Sequence, residues 1–352
     1  MQENNKRFSI TKSIIDTCLL GNRIIILENT NSYYTGCWSL HRIAVLGDLN
    51  VDLLLMVDFI PTSDIAVAAR ELKIRHGGVG GNLSVALSRL GISAVLAGCV
   101  GRDVFGEEIT RELEAEGVDT SFVKVNPNTH TGVMVILVVP GGGRSIVGFR
   151  GANAGVSLSD DEVNKLLSDV DHLHLSGYMA LNADRGALLL KLARKAKSMG
   201  ITVSVDLEGV STQRRELARQ LKGLVDYVML NRDEITSLTN TRDVEASARE
   251  LLRMIKPRAV FVKLGKDGSL VVEADKIKHV EPLRVDAVDS TGAGDAFNAG
   301  VIYSLLEGKR ASEAALIGNA MGAYACTGIG ARHFPRGISE LAELFPQLRK
   351  HI

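Results

Sequence analysis

The first sustained apolar run of the chain is Ile43-Ala44-Val45-Leu46, closed by Gly47. Continuous apolar character without alternation predicts a strand buried on both faces, as in a parallel sheet. Similar strand-like runs recur at 95–100, 172–175, 201–206, 227–230 and 260–264. Helical patterns separate them at 105–116, 159–167, 185–199 and 212–221. An earlier helix follows from Leu83, Ala86, Leu87 and Leu90, which stand at i, i+3, i+4 and i+7 before a stop at Gly91. This alternation predicts a three-layer α/β domain around a largely parallel sheet. Four more β-favouring stretches, 53–59, 67–76, 132–139 and 145–149, have no helices separating them in pairs. The last two flank Gly141-Gly142-Gly143 as a hairpin, so the four predict a small antiparallel sheet set apart from the main layer. Towards the C-terminus, 295–307 is strongly helical, with Phe297, Val301 and Leu305 on one face, and 315–327 is a helix of small residues. No repeat or low-complexity linker divides the core. Residues 1–40 are polar, apart from the short apolar piece at 24–27, and stand as an N-terminal extension with no assigned role.

Composition narrows the function classes. Lys plus Arg and Asp plus Glu balance at 41 each, so no bulk field draws in nucleic acid or an anionic membrane. Cys18, Cys37, Cys99 and Cys326 form no C-x-x-C pair, which argues against a disulfide framework or a zinc site. The apolar runs are too short to span a bilayer, and the N-terminus lacks a basic segment followed by an apolar core. The expected location is the cytoplasm.

The chemistry concentrates at Gly292-Ala293-Gly294, a flexible turn directly ahead of the helix at 295–307. The first amides of a helix lack carbonyl partners, and the helix dipole adds positive character there, which makes an anion site. Asp295 puts a carboxylate at the lip of that site. Such a pairing serves a reaction that deprotonates a hydroxyl while a phosphoryl group is held beside it; the competing reading is a helix cap. A second polar cluster, Asp48, Asn50 and Asp52, follows the first strand at the end where ligands collect in open α/β sheets. These groups suit polyol hydroxyls or, alternatively, an Asx-rich turn. Arg150 could face an anionic group bidentately or stand exposed on the small sheet. Asn231 and Glu234 read as a capping box at the start of a helix.

The stretch Asp289-Ser290-Thr291-Gly292-Ala293-Gly294-Asp295 resembles the second signature, D-[ST]-T-G-A-G-D, of the PfkB/ribokinase family of sugar and nucleoside kinases. Gly77-Gly78-Val79-Gly80-Gly81-Asn82 resembles the first, a glycine pair followed by Asn and a helix. The resemblance runs from about Arg42 to Ala331. It implies a ribokinase-like α/β/α domain over 41–345. A β-lid from about 52–76 and 130–150 would cover the substrate and make a homodimer contact. It also implies ATP as donor, with Mg²⁺. Asp295 would be the base, with Gly292, Ala293 and Gly294 as the anion hole. Asp48, Asn50, Asp52, Gly77, Gly78, Asn82, Asn153 and Arg150 would meet the sugar or nucleoside substrate. Asn231 would serve nucleotide and metal, with Glu234 reaching Mg²⁺ through water. Lys263, Gly265 and Gly268 would contact the nucleotide, and Asn319 would lie by the adenine. Asp289 and Thr291 mark a monovalent-cation site, implying K⁺.

Two departures keep the acceptor open. Val79 stands where ribokinases carry Lys, and Asp206-Leu207-Glu208 stands where many relatives read Asp-Pro-Asn. A nucleoside, inositol or 2-keto-3-deoxygluconate kinase remains an alternative, as does a catalytically silent sugar-binding regulator. No G-x-x-x-x-G-K-[ST] occurs, and Leu83 breaks a dinucleotide fingerprint at the first glycine motif.

Overall fold

In the computed structural model the described residues are 16–19, 23–27, 38–39, 41–141, 143–180, 183–208 and 213–352. Cys37, Gly142 and Thr212 lie outside them. The chain divides into two units, Met1–Leu40 and His41–Ile352. In the first, β1 (Asp16–Leu19), β2 (Arg23–Leu27) and β3 (Trp38–Ser39) form an antiparallel sheet in that order. The apolar piece at 24–27 falls in β2.

The second unit begins with β4 (Arg42–Leu46), β5 (Asn50–Met56), β6 (Glu71–Gly77), α1 (Val79–Arg89), β7 (Ser93–Gly101) and α2 (Val104–Ala115). It continues through β8 (Asp119–Asn126), β9 (Gly132–Val138), β10 (Arg144–Phe149), α3 (Asp160–Leu166), β11 (His172–Ser176), α4 (Ala183–Ser198), β12 (Thr202–Asp206) and α5 (Gln213–Gln220). Then come β13 (Tyr227–Asn231), α6 (Arg232–Thr239), α7 (Val244–Ile255), β14 (Ala259–Lys263), β15 (Ser269–Glu273) and β16 (Lys276–Val280). The chain closes with α8 (Ala293–Leu306), α9 (Ala311–Ala325) and α10 (Ile338–Leu344).

Nine strands build the main sheet in the order β16-β15-β14-β13-β12-β11-β4-β7-β8. It is parallel from β14 to β8, and β15 and β16 extend one edge antiparallel. The unbroken apolar runs are explained by burial on both sides. In β4, Ala44 and Leu46 enter one core cluster while Ile43 and Val45 enter the other. The first cluster is covered by α3, α4, α5, α6 and α7, the second by α1, α2, α8, α9 and α10. The sequence reading gave no strand at β8, β15 or β16. β8 and β16 alternate apolar with polar or exposed positions, whereas β15 carries a short apolar run, Leu270-Val271-Val272, buried on both faces.

The smaller sheet has the order β10-β9-β5-β6. Its two hairpin pairings are antiparallel, and β5 joins β9 in parallel. Asp52 is buried on one face of this sheet. By strand alternation Leu53 points the other way, in register with Ile74, with Val135 and, through Val135, with Val147. Among the described residues, no helix is long and apolar enough to cross a membrane.

Candidate active site

The helix α8 starts two residues earlier than its apolar pattern suggests. Its N-cap is Gly292, at φ 77°, with no side-chain cap. A Cβ on Gly292 would stand 2.1 Å from the Ala331 carbonyl, so only glycine fits this left-handed turn. The capping reading of Asp295 therefore fails. The Asp295 carboxylate lies in the first turn and instead accepts a 2.8 Å hydrogen bond from Asn82 Nδ2 on α1. Burial pushes the Asp295 pKa up to about 6, against the opposing pull of Asn82 and Lys263. Of the turn's amides, that of Ala293 already donates to the Ser290 carbonyl at 3.2 Å.

Ala293 and Gly294 line an open cleft of about 890 Å³. Lys263, Gly265, Gly268 and Asn319 line the same cleft, so three stretches far apart in the chain, around 263–268, 293–294 and 319, converge there. The Lys263 ammonium lies 3.6 Å from where a Cβ on Gly294 would stand. It bonds Asp206 Oδ2 at 2.5 Å. Burial alone would lower its pKa, yet Asp206 and Glu234 hold it above the ordinary lysine value. Asn319 Nδ2 donates to the carbonyls of Val280 and Glu281, tethering the loop that forms the far wall.

Asn231 and Glu234 form the capping box: Asn231 Oδ1 accepts from the Glu234 amide at 2.9 Å, and Glu234 Oε2 accepts from the Asn231 amide at 2.7 Å. Neither lines the cleft, but Asn231 pairs in register with Lys263 across β13 and β14. Asp289 Oδ1 accepts from the amide and hydroxyl of Thr291, and Oδ2 accepts from the Gly330 amide. Burial would raise its pKa, but these hydrogen bonds hold it below the usual carboxylate value.

The acceptor side is packed more tightly. Gly78, at φ 87°, caps α1. A Cβ there would meet the Asp48 carbonyl at 2.4 Å, so the glycine pair lets α1 seat against the link between β4 and β5. Asn82 lies in the first turn of α1 and caps nothing. Asp48 is buried and ion-paired with Arg150 at 2.7 Å, so Arg150 is not an idle lid residue. Its Nε is buried without a hydrogen-bond partner. Asn153 donates to the Leu49 carbonyl and to Asn50 Oδ1, and accepts from the Leu49 amide. Its amide shapes the loop that presents Asn50. Asp52 is packed against Gly77, with the carboxylate 2.5 Å from the position a Cβ would take. Burial lifts its pKa to about 6, although Arg332 and His76 pull it down.

Two residues beside the site have no role assigned from the sequence. Glu208 is buried with Ser176 Oγ donating to it at 2.8 Å. Burial and the negative charges of Asp206 and Asp295 raise its pKa well above the ordinary value. Arg332, which belongs to neither signature, reaches Asn82 Oδ1 at 3.2 Å. His172 and His174 sit beneath the site, hydrogen-bonded to Thr202 and Ser204, with burial holding both near pKa 3. They act as neutral core groups.

Residues 40–336 match the pfkB family of carbohydrate kinases. The chain belongs to that family. This pfkB-family kinase is 32% identical over 295 residues to an ATP-dependent ribose-1-phosphate kinase from Halopiger xanaduensis, covering 84% of this chain and 95% of that protein. It is 29% identical to a ribokinase from Haemophilus influenzae, over 82% of this chain and 94% of that one. A ribokinase structure from Thermotoga maritima superposes with a TM-score of 0.73 at 30% identity, covering 87% of this chain and 99% of that chain. The kinase's three-layer domain is therefore of the ribokinase type, with β10-β9-β5-β6 as its smaller second sheet.

Proposed function

We propose that this kinase transfers the γ-phosphoryl group of ATP to a hydroxyl of a small sugar-like acceptor, with Asp295 receiving the hydroxyl proton. One observation carries the reading. The Asp295 carboxylate is turned from its own helix towards Asn82, on the acceptor side, while the neighbouring Ala293 and Gly294 line the open cleft. A nucleotide in that cleft brings its terminal phosphate to the positive end of α8, beside Lys263. Phosphoryl transfer has a loose transition state, so positioning and charge neutralisation dominate and a modest base suffices. The lid, which carries Asn50 and Asp52 on β5, covers the acceptor beside Asp48 and keeps water from competing with it.

Mg²⁺ fits the residues present. A Mg²⁺ ion here would keep most of its water and be held mainly by the phosphates. Asp206 Oδ1 is buried without a partner, and Glu234 stands close enough to Lys263 to act on its charge. Asn231 and Glu234 are locked in their capping box, so their reach to the ion would run through water. When bound, the ion supplies charge neutralisation on the transferred group.

The outer face of the lid carries an exposed apolar row, with Ile74 44% and Val147 66% exposed. This row supports a homodimer through the lid, and Val147→Asp should convert a dimer to a monomer in light-scattering measurements; an unchanged mass removes the idea. The free thiols of Cys99 and Cys326 suit a reducing compartment such as the cytoplasm.

The acceptor is found by measuring ATP consumption against ribose, deoxyribose, fructose, ribose 1-phosphate, adenosine, cytidine and 2-keto-3-deoxygluconate. Turnover with one of them is expected. No turnover with any acceptor would favour a silent sugar-binding regulator.

A further inference from the structure

Arg332 follows α9 in a segment that no signature motif marks, yet its side chain is only 7% exposed. Its guanidinium ties three elements together. Nη1 donates to Glu112 Oε1 on α2 at 3.0 Å, Nη2 to the Gly77 carbonyl at the end of β6 at 3.4 Å, and Nε to Asn82 Oδ1 on α1 at 3.2 Å. Glu112 is itself bonded to His76, so the guanidinium is held from the side away from the substrate as well.

The bond to Asn82 has a consequence for the base. A side-chain amide has one accepting end and one donating end, and only hydrogen-bond partners decide which way it points. With Arg332 donating to Oδ1, the Nδ2 end must face Asp295, and it does so at 2.8 Å. The reversed amide would set N–H against N–H at Arg332 and oxygen against carboxylate oxygen at Asp295. A guanidinium has no acceptor with which to accommodate that reversal. The bond from Asn82 to Asp295 Oδ2 thereby fixes the orientation of the carboxylate.

We infer that Arg332 is a positioning residue for phosphoryl transfer, acting through Asn82 to hold Asp295 in the orientation that receives the acceptor's proton. The inference rests on the reading of Asp295 as the base. Arg332 does not enter the nucleotide cleft, so its effect falls on the chemical step rather than on ATP binding.

The test measures kcat, acceptor KM and ATP Kd for Arg332→Gln, Asn82→Ala, the double variant and Glu112→Gln. Arg332→Gln should lower kcat about 10- to 100-fold, the scale expected of a misplaced reacting group. Its acceptor KM and ATP Kd should stay within about twofold of wild type. The double variant should be no slower than Asn82→Ala, because residues acting along one path do not add. Additive losses would overturn the inference, as would a rise in acceptor KM with kcat unchanged, which marks direct substrate contact. If Arg332→Gln does not fold, Glu112→Gln at a partly exposed position loosens the guanidinium from its other side. It must lower kcat in the same direction, and an unchanged kcat overturns the inference. Wild-type turnover in Asp295→Asn would instead remove the base itself. An inactive Asp295→Asn beside a fully active Arg332→Gln removes only the role of Arg332.

Discussion

On the nucleotide side, α8 offers a glycine turn and main-chain amides to an open cleft of about 890 Å³. On the acceptor side, Asp48 is closed against Arg150, Asn50 against Asn153, and Asn82 against both Arg332 and Asp295. In the proposed function the first surface recognises something every phosphate has, negative charge and accepting oxygens, and the backbone does that whatever the side chains. The second must distinguish one pattern of hydroxyls from another, and only side chains held at fixed angles can do so. Each carboxylate or amide there is oriented by a neighbour from another element. The glycine turn on the donor side is thus a local structure, and the acceptor side is a tertiary one.

Substitutions on each side should therefore fail differently. Asp295→Asn keeps the shape and removes the base; kcat should fall roughly 10²- to 10⁴-fold, with ATP Kd unchanged by calorimetry. Near-wild-type turnover would contradict its role. Gly292→Ala forces a Cβ onto the Ala331 carbonyl and moves the turn. A loss of about 10²- to 10³-fold in kcat is expected, the scale of a lost anion-hole donor, with weakened ATP binding. Retained ATP affinity and turnover would show that the turn does not meet the phosphates.

Arg150→Met strikes the other side. It removes the guanidinium that pairs with the buried Asp48 carboxylate, so acceptor KM should rise while ATP KM holds. Stability should drop by about 3 kcal/mol, measurable by denaturant unfolding. A rise confined to ATP KM would break the division between the two sides. The pH profile tests the join. Asp295, raised to about 6 chiefly by burial, is an active base only when ionised. Activity should therefore be present above pH 6 and fall as pH drops through it, by about tenfold for each unit below. A rate that climbs as pH falls would contradict this. The smallest expected effect is stimulation by potassium near Asp289 and Thr291; equal rates in sodium-only and potassium buffers would remove that site.

This division also explains what the sequence discloses. The residues around Gly292 are contiguous, so their motif, their helix and their chemistry can be read together. The strands of the parallel sheet are equally plain, because burial on both faces leaves unbroken apolar runs such as Ile43-Ala44-Val45-Leu46. The first glycine motif marks Asn82 as a candidate, but its bridge between Asp295 and Arg332 is not legible there, because both partners stand far away in the chain. Arg332 carried no local signal at all. Its neighbours in sequence, Ala331 and His333, say nothing of α1 or α2, and only the fold brings Glu112 to it. Arg150 gave a signal without a direction, since a charged residue after a lid strand is ordinarily solvated. Its partner Asp48 lies 102 residues earlier in the chain.

The most direct test is a crystal structure of the protein with Mg²⁺ and a non-hydrolysable ATP analogue. The account predicts the terminal phosphorus at the N-terminus of α8, its oxygens within hydrogen-bonding distance of the turn formed by Gly292, Ala293 and Gly294, with Asp295 still bonded to Asn82. A terminal phosphate bound elsewhere in the cleft, with the Asp295 carboxylate turned out to solvent, would contradict it.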